Sequence, residues 1–165
     1  MESSILTLTA KVITSEELLN HWLGHRSLTR KVIEAFPEKD LFEYSVGPMR
    51  TFAEIVQELL AIAAPGIKEI AGYPSQQLKE HIEEANSKSN ILKLWDESTE
   101  QITALWTKIA EERFHDKIAA FGQYEGTIWS TIFYYIENEI HHRGQGYVYL
   151  RGLGITPPPF YDRCL

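Results

Sequence analysis

The residues best suited to chemistry by type and spacing lie in the last helical stretch of the chain. Asn138 and His142 stand four apart, as do Glu137 and His141 one step around the helix, and side chains at i and i+4 project side by side. Either pair can present two donor atoms to one point, where a metal ion or a polar substrate would sit. His141 and His142 are neighbours about 100° apart on a regular helix, so at most one of them reaches a shared centre. A polar helix face is more often only solvated, and spacing alone leaves both readings open. His25 falls on the apolar stripe of an earlier helix and reads as a core histidine bonded to a backbone carbonyl. His21, His81 and His115 read as surface residues without a partner at ligand spacing. No nucleophile elbow, no Cys and His pairing and no acid pair of clear geometry is legible.

Four amphipathic segments must position these groups. Thr14 and Glu17 have capping-box spacing, and Leu18, Trp22, His25, Thr29, Val32 and Phe36 then share a face until Pro37. The loop from Pro37 to Arg50 leads to a second capping box, Thr51 with Glu54, and to an apolar stripe through Ile55, Leu59 and Ile70. Pro65 is expected to kink that helix, and Gly72 with Pro74 to end it. Residues 76–90 fit a short exposed helix or a loop. A third helix is expected from Ile91 to Glu112, with Trp95 and Trp106 as packing residues, followed by a mixed stretch that is extended around Ile118 to Phe121. The last helix runs from about Thr127 to Leu153 and ends at Gly154 and the prolines 157–159. Its wheel shows an apolar stripe (Trp129, Ile132, Phe133, Ile136, Ile140, Tyr147, Leu150) and a polar and aromatic one (Tyr134, Tyr135, Asn138, His142, Gln145, Tyr149). Gly144 inside this helix predicts a close neighbouring helix. With intervening loops too irregular for strand pairs, the pattern predicts an all-α four-helix bundle with a long crossover connection.

A chain of 165 residues fits one domain, 1–165, and 44% hydrophobic content supplies a core. The net charge of −7 argues against nucleic acid and anionic lipid as partners, since both require a positive field. No stretch is long and apolar enough to span a membrane, and the N-terminus MESSILTLTAKVITSEE lacks the pattern of a signal peptide. The single cysteine, Cys164, cannot close an internal disulfide, which suits a reducing compartment and a cytoplasmic location.

Glu139 to Gln145 (EIHHRGQ), Tyr149 to Gly154 (YLRGLG) and Pro157 to Pro159 occur in an order and spacing that resemble the DinB-like superfamily of DNA-damage-inducible metalloenzymes. Met49 to Glu54, Trp22, His25, Arg26 and Leu28 to Lys31 are similar to its members as well. The resemblance implies a four-helix bundle, often homodimeric, with a divalent metal held by three histidines. One comes from the second helix and two, at i and i+4, from the last. Relatives include bacillithiol-dependent S-transferases and the mycothiol-dependent maleylpyruvate isomerase. Carried onto this chain, the three positions are Glu58, Asn138 and His142, so a single histidine remains.

Two expectations follow from that departure. In one, Glu58, Asn138 and His142 form an oxygen-rich metal site, shifted from Zn²⁺ or Ni²⁺ toward Mn²⁺ or Fe²⁺. The protein is then a metal-dependent hydrolase or a thiol-dependent S-transferase acting on a small molecule, with a low-molecular-weight thiol as candidate cofactor. Glu58 serves as ligand or general base and His142 as ligand. In the other, the protein is a metal-free small-ligand-binding or stress-response module in which Glu58 accepts a hydrogen bond from His142 or Asn138.

Overall fold

A computed structural model of the protein describes residues 12–164. The reading of residues 1–11 as no signal peptide lies outside the described residues. Helix α1 (Ser15–Ala35) starts where the capping box requires, with Glu17 N–H donating to Thr14 Oγ1 at 3.1 Å and Thr14 N–H donating to the Glu17 carboxylate at 2.7 Å. Pro37 then opens a one-turn-and-a-half helix, α2 (Glu38–Glu43), inside the stretch read as loop; it is too short for periodicity to reveal, and its fully buried Leu41 plugs one end of the bundle. Helix α3 (Phe52–Ile70) begins at the Thr51 and Glu54 box and continues through Pro65.

Residues 76–87 form no helix. Ser87 caps α4 (Lys88–Trp106), its hydroxyl accepting from Asn90 N–H at 3.2 Å. This helix starts three residues before the expected point and ends six before it. The chain turns at Thr107, becomes extended at Ala110 and makes a 3₁₀ turn over Glu111–His115. A hairpin then stands where strand pairing was not expected: β1 (Lys117–Ala120) runs antiparallel to β2 (Tyr124–Thr127), with Lys117 opposite Thr127 and Ala120 opposite Tyr124. Its turn uses left-handed backbone at Phe121 (φ 53°) and Gly122 (φ 69°), and Phe121 N–H is held by Glu69 at 3.0 Å. Four-residue strands are too short for a period of two to stand out from a helical background.

Helix α5 (Ile128–Gly152) completes the bundle, capped by Thr127. The four long helices pack in the ring α1, α4, α3, α5, so the connections from α1 to α3 and from α4 to α5 cross its diagonals. Two apolar clusters fill the interior. One gathers Trp22, Trp106, Ile132 and Tyr135, and the other Phe36, Phe52, Trp95 and Tyr149. Between them lies a buried polar layer of Arg26, Thr29, Ser98, Glu139 and Arg143.

The wheel of α5 needs correction. Trp129 and Ile140, assigned to the apolar stripe, are 44% and 38% exposed, while Tyr135 and Tyr149, assigned to the polar one, are 4% and 0% exposed. Helix α5 is flanked by α1 on one side and by α3 on the other, so its buried arc is wider than one stripe and centres near Ile136 and Glu139. The glycine at a close approach is also different. A Cβ on Gly144 would meet nothing within 4 Å, whereas one on Gly146 would strike the ring of Phe52. Glu137 and His141 are both exposed.

Candidate functional site

The structure brings Glu58, Asn138 and His142 together at the seam of α3 and α5. Glu58 Oε1 lies 3.1 Å from His142 Nε2 and accepts from Asn138 Nδ2 at 3.3 Å. The other oxygen, Oε2, accepts from the guanidinium of Arg50, a residue the sequence reading did not single out. Arg50 precedes the α3 cap, and its carbonyl accepts from Tyr149 Oη at 2.8 Å, which ties the start of α3 to α5 and fixes where the guanidinium originates. Its other terminal nitrogen stands 3.7 Å from Glu80. The side chains of Glu58 and His142 are 13% and 9% exposed, against 43% for Arg50.

Burial pushes the Glu58 carboxyl upward, but the Arg50 hydrogen bond, the nearby His142 and the Asn138 amide together outweigh it and hold the group below the ordinary carboxylate value. Glu58 is therefore ionised at neutral pH. His142 Nδ1 faces Gln145 Oε1 at 2.8 Å, so both ring nitrogens meet acceptors.

These residues do not fit the three-histidine centre. The described residues contain no group of three His, Cys, Asp or Glu side chains able to hold a metal. Asn138 turns its NH₂ rather than its carbonyl toward Glu58, and an NH₂ is no metal donor. The remaining carboxylate oxygen is already paired with a fixed positive charge. A divalent ion at this point would have to displace Arg50 or accept its repulsion.

One step around α5, on the adjacent flank, Glu139 and Arg143 turn toward α1. Glu139, 2% exposed, accepts from Trp22 Nε1 at 3.1 Å and from Thr29 Oγ1 at 2.7 Å, and stands 3.7 Å from Arg26. Arg26 is fully enclosed, donates to Thr99, Ser98 and the Trp95 carbonyl, and lies 4.0 Å over the Trp95 ring. Its guanidinium is pulled down to about 10 by burial, against the attraction of Glu139. His25 is buried as expected, but its ring partners are side chains, not a backbone carbonyl. Arg143 donates to Nδ1 at 3.0 Å, and Nε2 lies 3.2 Å from both His21 Nε2 and the Arg163 guanidinium. Burial, with Arg143 and Arg163 beside it, lowers His25 to about 4, so the ring is neutral near pH 7. His21 is exposed, yet it stands one helical turn from His25, a spacing the sequence reading overlooked. His81 and His115 are exposed.

A cavity of about 350 Å³ opens beside Glu58, between α3, α5 and the hairpin. Ile62, Tyr134 and Tyr135 form part of its wall, with Phe121 and Tyr124 from the hairpin. The hairpin contribution was invisible in the sequence because no local period marks which loop folds over which helix.

The DinB family profile matches residues 6–164, and the chain belongs to that family. It is 32% identical over 154 residues to the uncharacterized protein YjoA of Bacillus subtilis, across 90% of this chain and 97% of that protein. The fold is similar to a DinB-like protein from Bacillus cereus (TM-score 0.73, 18% identity, covering 88% of this chain and 97% of that one). It is also similar to the crystal structure of YjoA (TM-score 0.66, 22% identity, the same two coverages of 88% and 97%). Among the described residues, no helix is long and apolar enough to cross a membrane.

Proposed function

We propose that this chain is a small-molecule-binding member of the DinB family in which the pairing of Arg50 with Glu58 replaces a metal centre. The guanidinium on Glu58 Oε2 carries the reading. Arg50 supplies, as part of the polypeptide, the positive charge that a bound cation would otherwise bring, and Asn138 and His142 complete the hydrogen bonding of the carboxylate. The cavity beside Glu58 lies within the usual size range of ligand sites, roughly 300–1,000 Å³. Glu58 offers the incoming molecule an acceptor in the cavity wall, and Ser130 and Thr131 bring hydroxyl groups to it.

Elemental analysis of the purified protein, paired with thermal melting, tests this. The expected outcome is far less than one equivalent of any transition metal, with a melting point unmoved by EDTA or by added Zn²⁺ or Mn²⁺. A stoichiometric metal, with a melting point that falls on chelation, would return the protein to the metal-dependent hydrolase or thiol-dependent transferase class, with Glu58, Asn138 and His142 as its ligands.

The resemblance also implies a homodimer, and the exposed apolar side chains Trp129, Ile140 and Val148 of α5, at 44%, 38% and 57% exposure, are surface that such an interface would cover. Light scattering should give a dimer for the native chain and a monomer for Val148→Glu, which places a charge on that side of α5.

A further inference from the structure

We propose that the cavity takes a small organic cation, an ammonium compound with an apolar body; this rests on the reading that the cavity, not a metal, is the functional centre. Its charged wall residues are Glu58, Glu80 and Glu125, and among the described residues no lysine, arginine or histidine lines it. Arg50 offsets part of that charge from outside the wall, pairing with Glu58 and standing 3.7 Å from Glu80. The side chain of Glu125, exposed on β2, forms no ion pair or hydrogen bond among the described residues. Three carboxylates thus share one guanidinium beside the hollow, and an anionic occupant would be repelled.

The rest of the wall favours a cation over a neutral polar molecule. Phe121, Tyr124, Tyr134 and Tyr135 bring four aromatic rings to it, and ring faces attract ammonium groups. Ile62, Leu78 and Ala120 supply apolar contact for the body of the ligand. Phe121 reaches the wall with φ of 53°, an outlier for a bulky residue, held by the Glu69 carboxylate at its N–H. Tyr135 is 4% exposed; its ring contributes to the wall while its hydroxyl packs against Gly66, without a hydrogen-bond partner among the described residues. Burial pushes that phenol upward, so it stays protonated, with unused oxygen lone pairs.

The test compares three probes of one length, pentan-1-amine, pentan-1-ol and pentanoate, added to ¹⁵N-labelled full-length protein at pH 7.5. Amide shifts of Gly126 and Thr131 report the cavity. The amine should bind at least about tenfold more tightly than the alcohol, and pentanoate should not bind; one decade corresponds to about 1.4 kcal/mol. Glu125→Gln, an exposed change that the fold should tolerate, should weaken the amine several-fold without altering the alcohol, and added salt should act in the same direction. Equal binding of amine and alcohol, preference for pentanoate, no binding of any probe, or an indifferent Glu125→Gln would each overturn the ligand class. The metal content of the same sample separates the two failures: without metal only the ligand class is wrong, and with one equivalent the underlying reading fails too.

Discussion

Helix α5 carries a polar pair on each of two adjacent flanks, and the flanks have opposite fates. Glu139 and Arg143 enter the layer between the apolar clusters, where the carboxylate is 2% exposed and the nearby Arg26 guanidinium 1%. Asn138 and His142 face α3, where Glu58 meets an Arg50 that is 43% exposed beside an open cavity. Both sites bring together a carboxylate, a guanidinium and hydrogen-bond donors from other elements. In the enclosed one every nearby group belongs to the protein, and removing a partner strands a charge. In the open one water and small molecules can reach the partners, so the same chemistry is available for recognition at small cost to the fold.

Glu139→Ala provides the severest test of this contrast. It leaves Arg26 buried without its carboxylate and removes the acceptor of Trp22 and Thr29, so urea denaturation should show a loss of about 3–5 kcal/mol. A loss below about 1 kcal/mol would mean that the inner flank is no more enclosed than the outer one.

A smaller effect is expected from acid, again on the enclosed side. His25 is held at about 4 in the folded protein, while the unfolded chain takes up its proton near 6.5. Between these values the unfolded state binds more protons, so the contribution to stability is complete above about pH 6.5 and declines as pH falls toward 4. His25→Gln, which keeps an acceptor for Arg143 but cannot titrate, should flatten that limb in melts recorded across the range. Glu58 is held below its ordinary value, so its contribution is present above about pH 4.5 and is lost only as pH falls through the lower folded value.

The smallest changes belong to the open flank. Arg50→Gln and Glu58→Gln should each shift stability by no more than about 1 kcal/mol in the same urea assay, because solvent takes over the broken pairing. Were either to approach the cost of Glu139→Ala, the seam of α3 and α5 would be a structural core and not a ligand site.

Much of the bundle was legible in the chain because capping boxes and apolar spacing are local. Thr14 with Glu17 and Thr51 with Glu54 marked helix starts that the structure reproduces, and Trp95 and Trp106 are buried as packing residues. The resemblance gave Glu58, Asn138 and His142 as one constellation, and their side chains do converge. Arg50 was missed although it stands next to a recognised cap, since nothing in one sequence shows that a loop arginine points back along the helix it precedes. Glu139 stood in the EIHHRGQ run but carried no assigned role. An acid three residues after Ile136, inside a buried arc, was the available signal. The hairpin escaped because its strands are only four residues long.

The amino-acid sequence by itself determined the helices, their order and the fact that Asn138 and His142 share a flank of the last one, since each depends on backbone periods and contacts a few residues apart. Tertiary packing decided which flank of α5 was sealed and which faced a hollow, and which positive charge met Glu58. Those outcomes depend on α1, α3 and the hairpin arriving from distant parts of the chain, and the electrostatics of a carboxylate follow from what surrounds it in space.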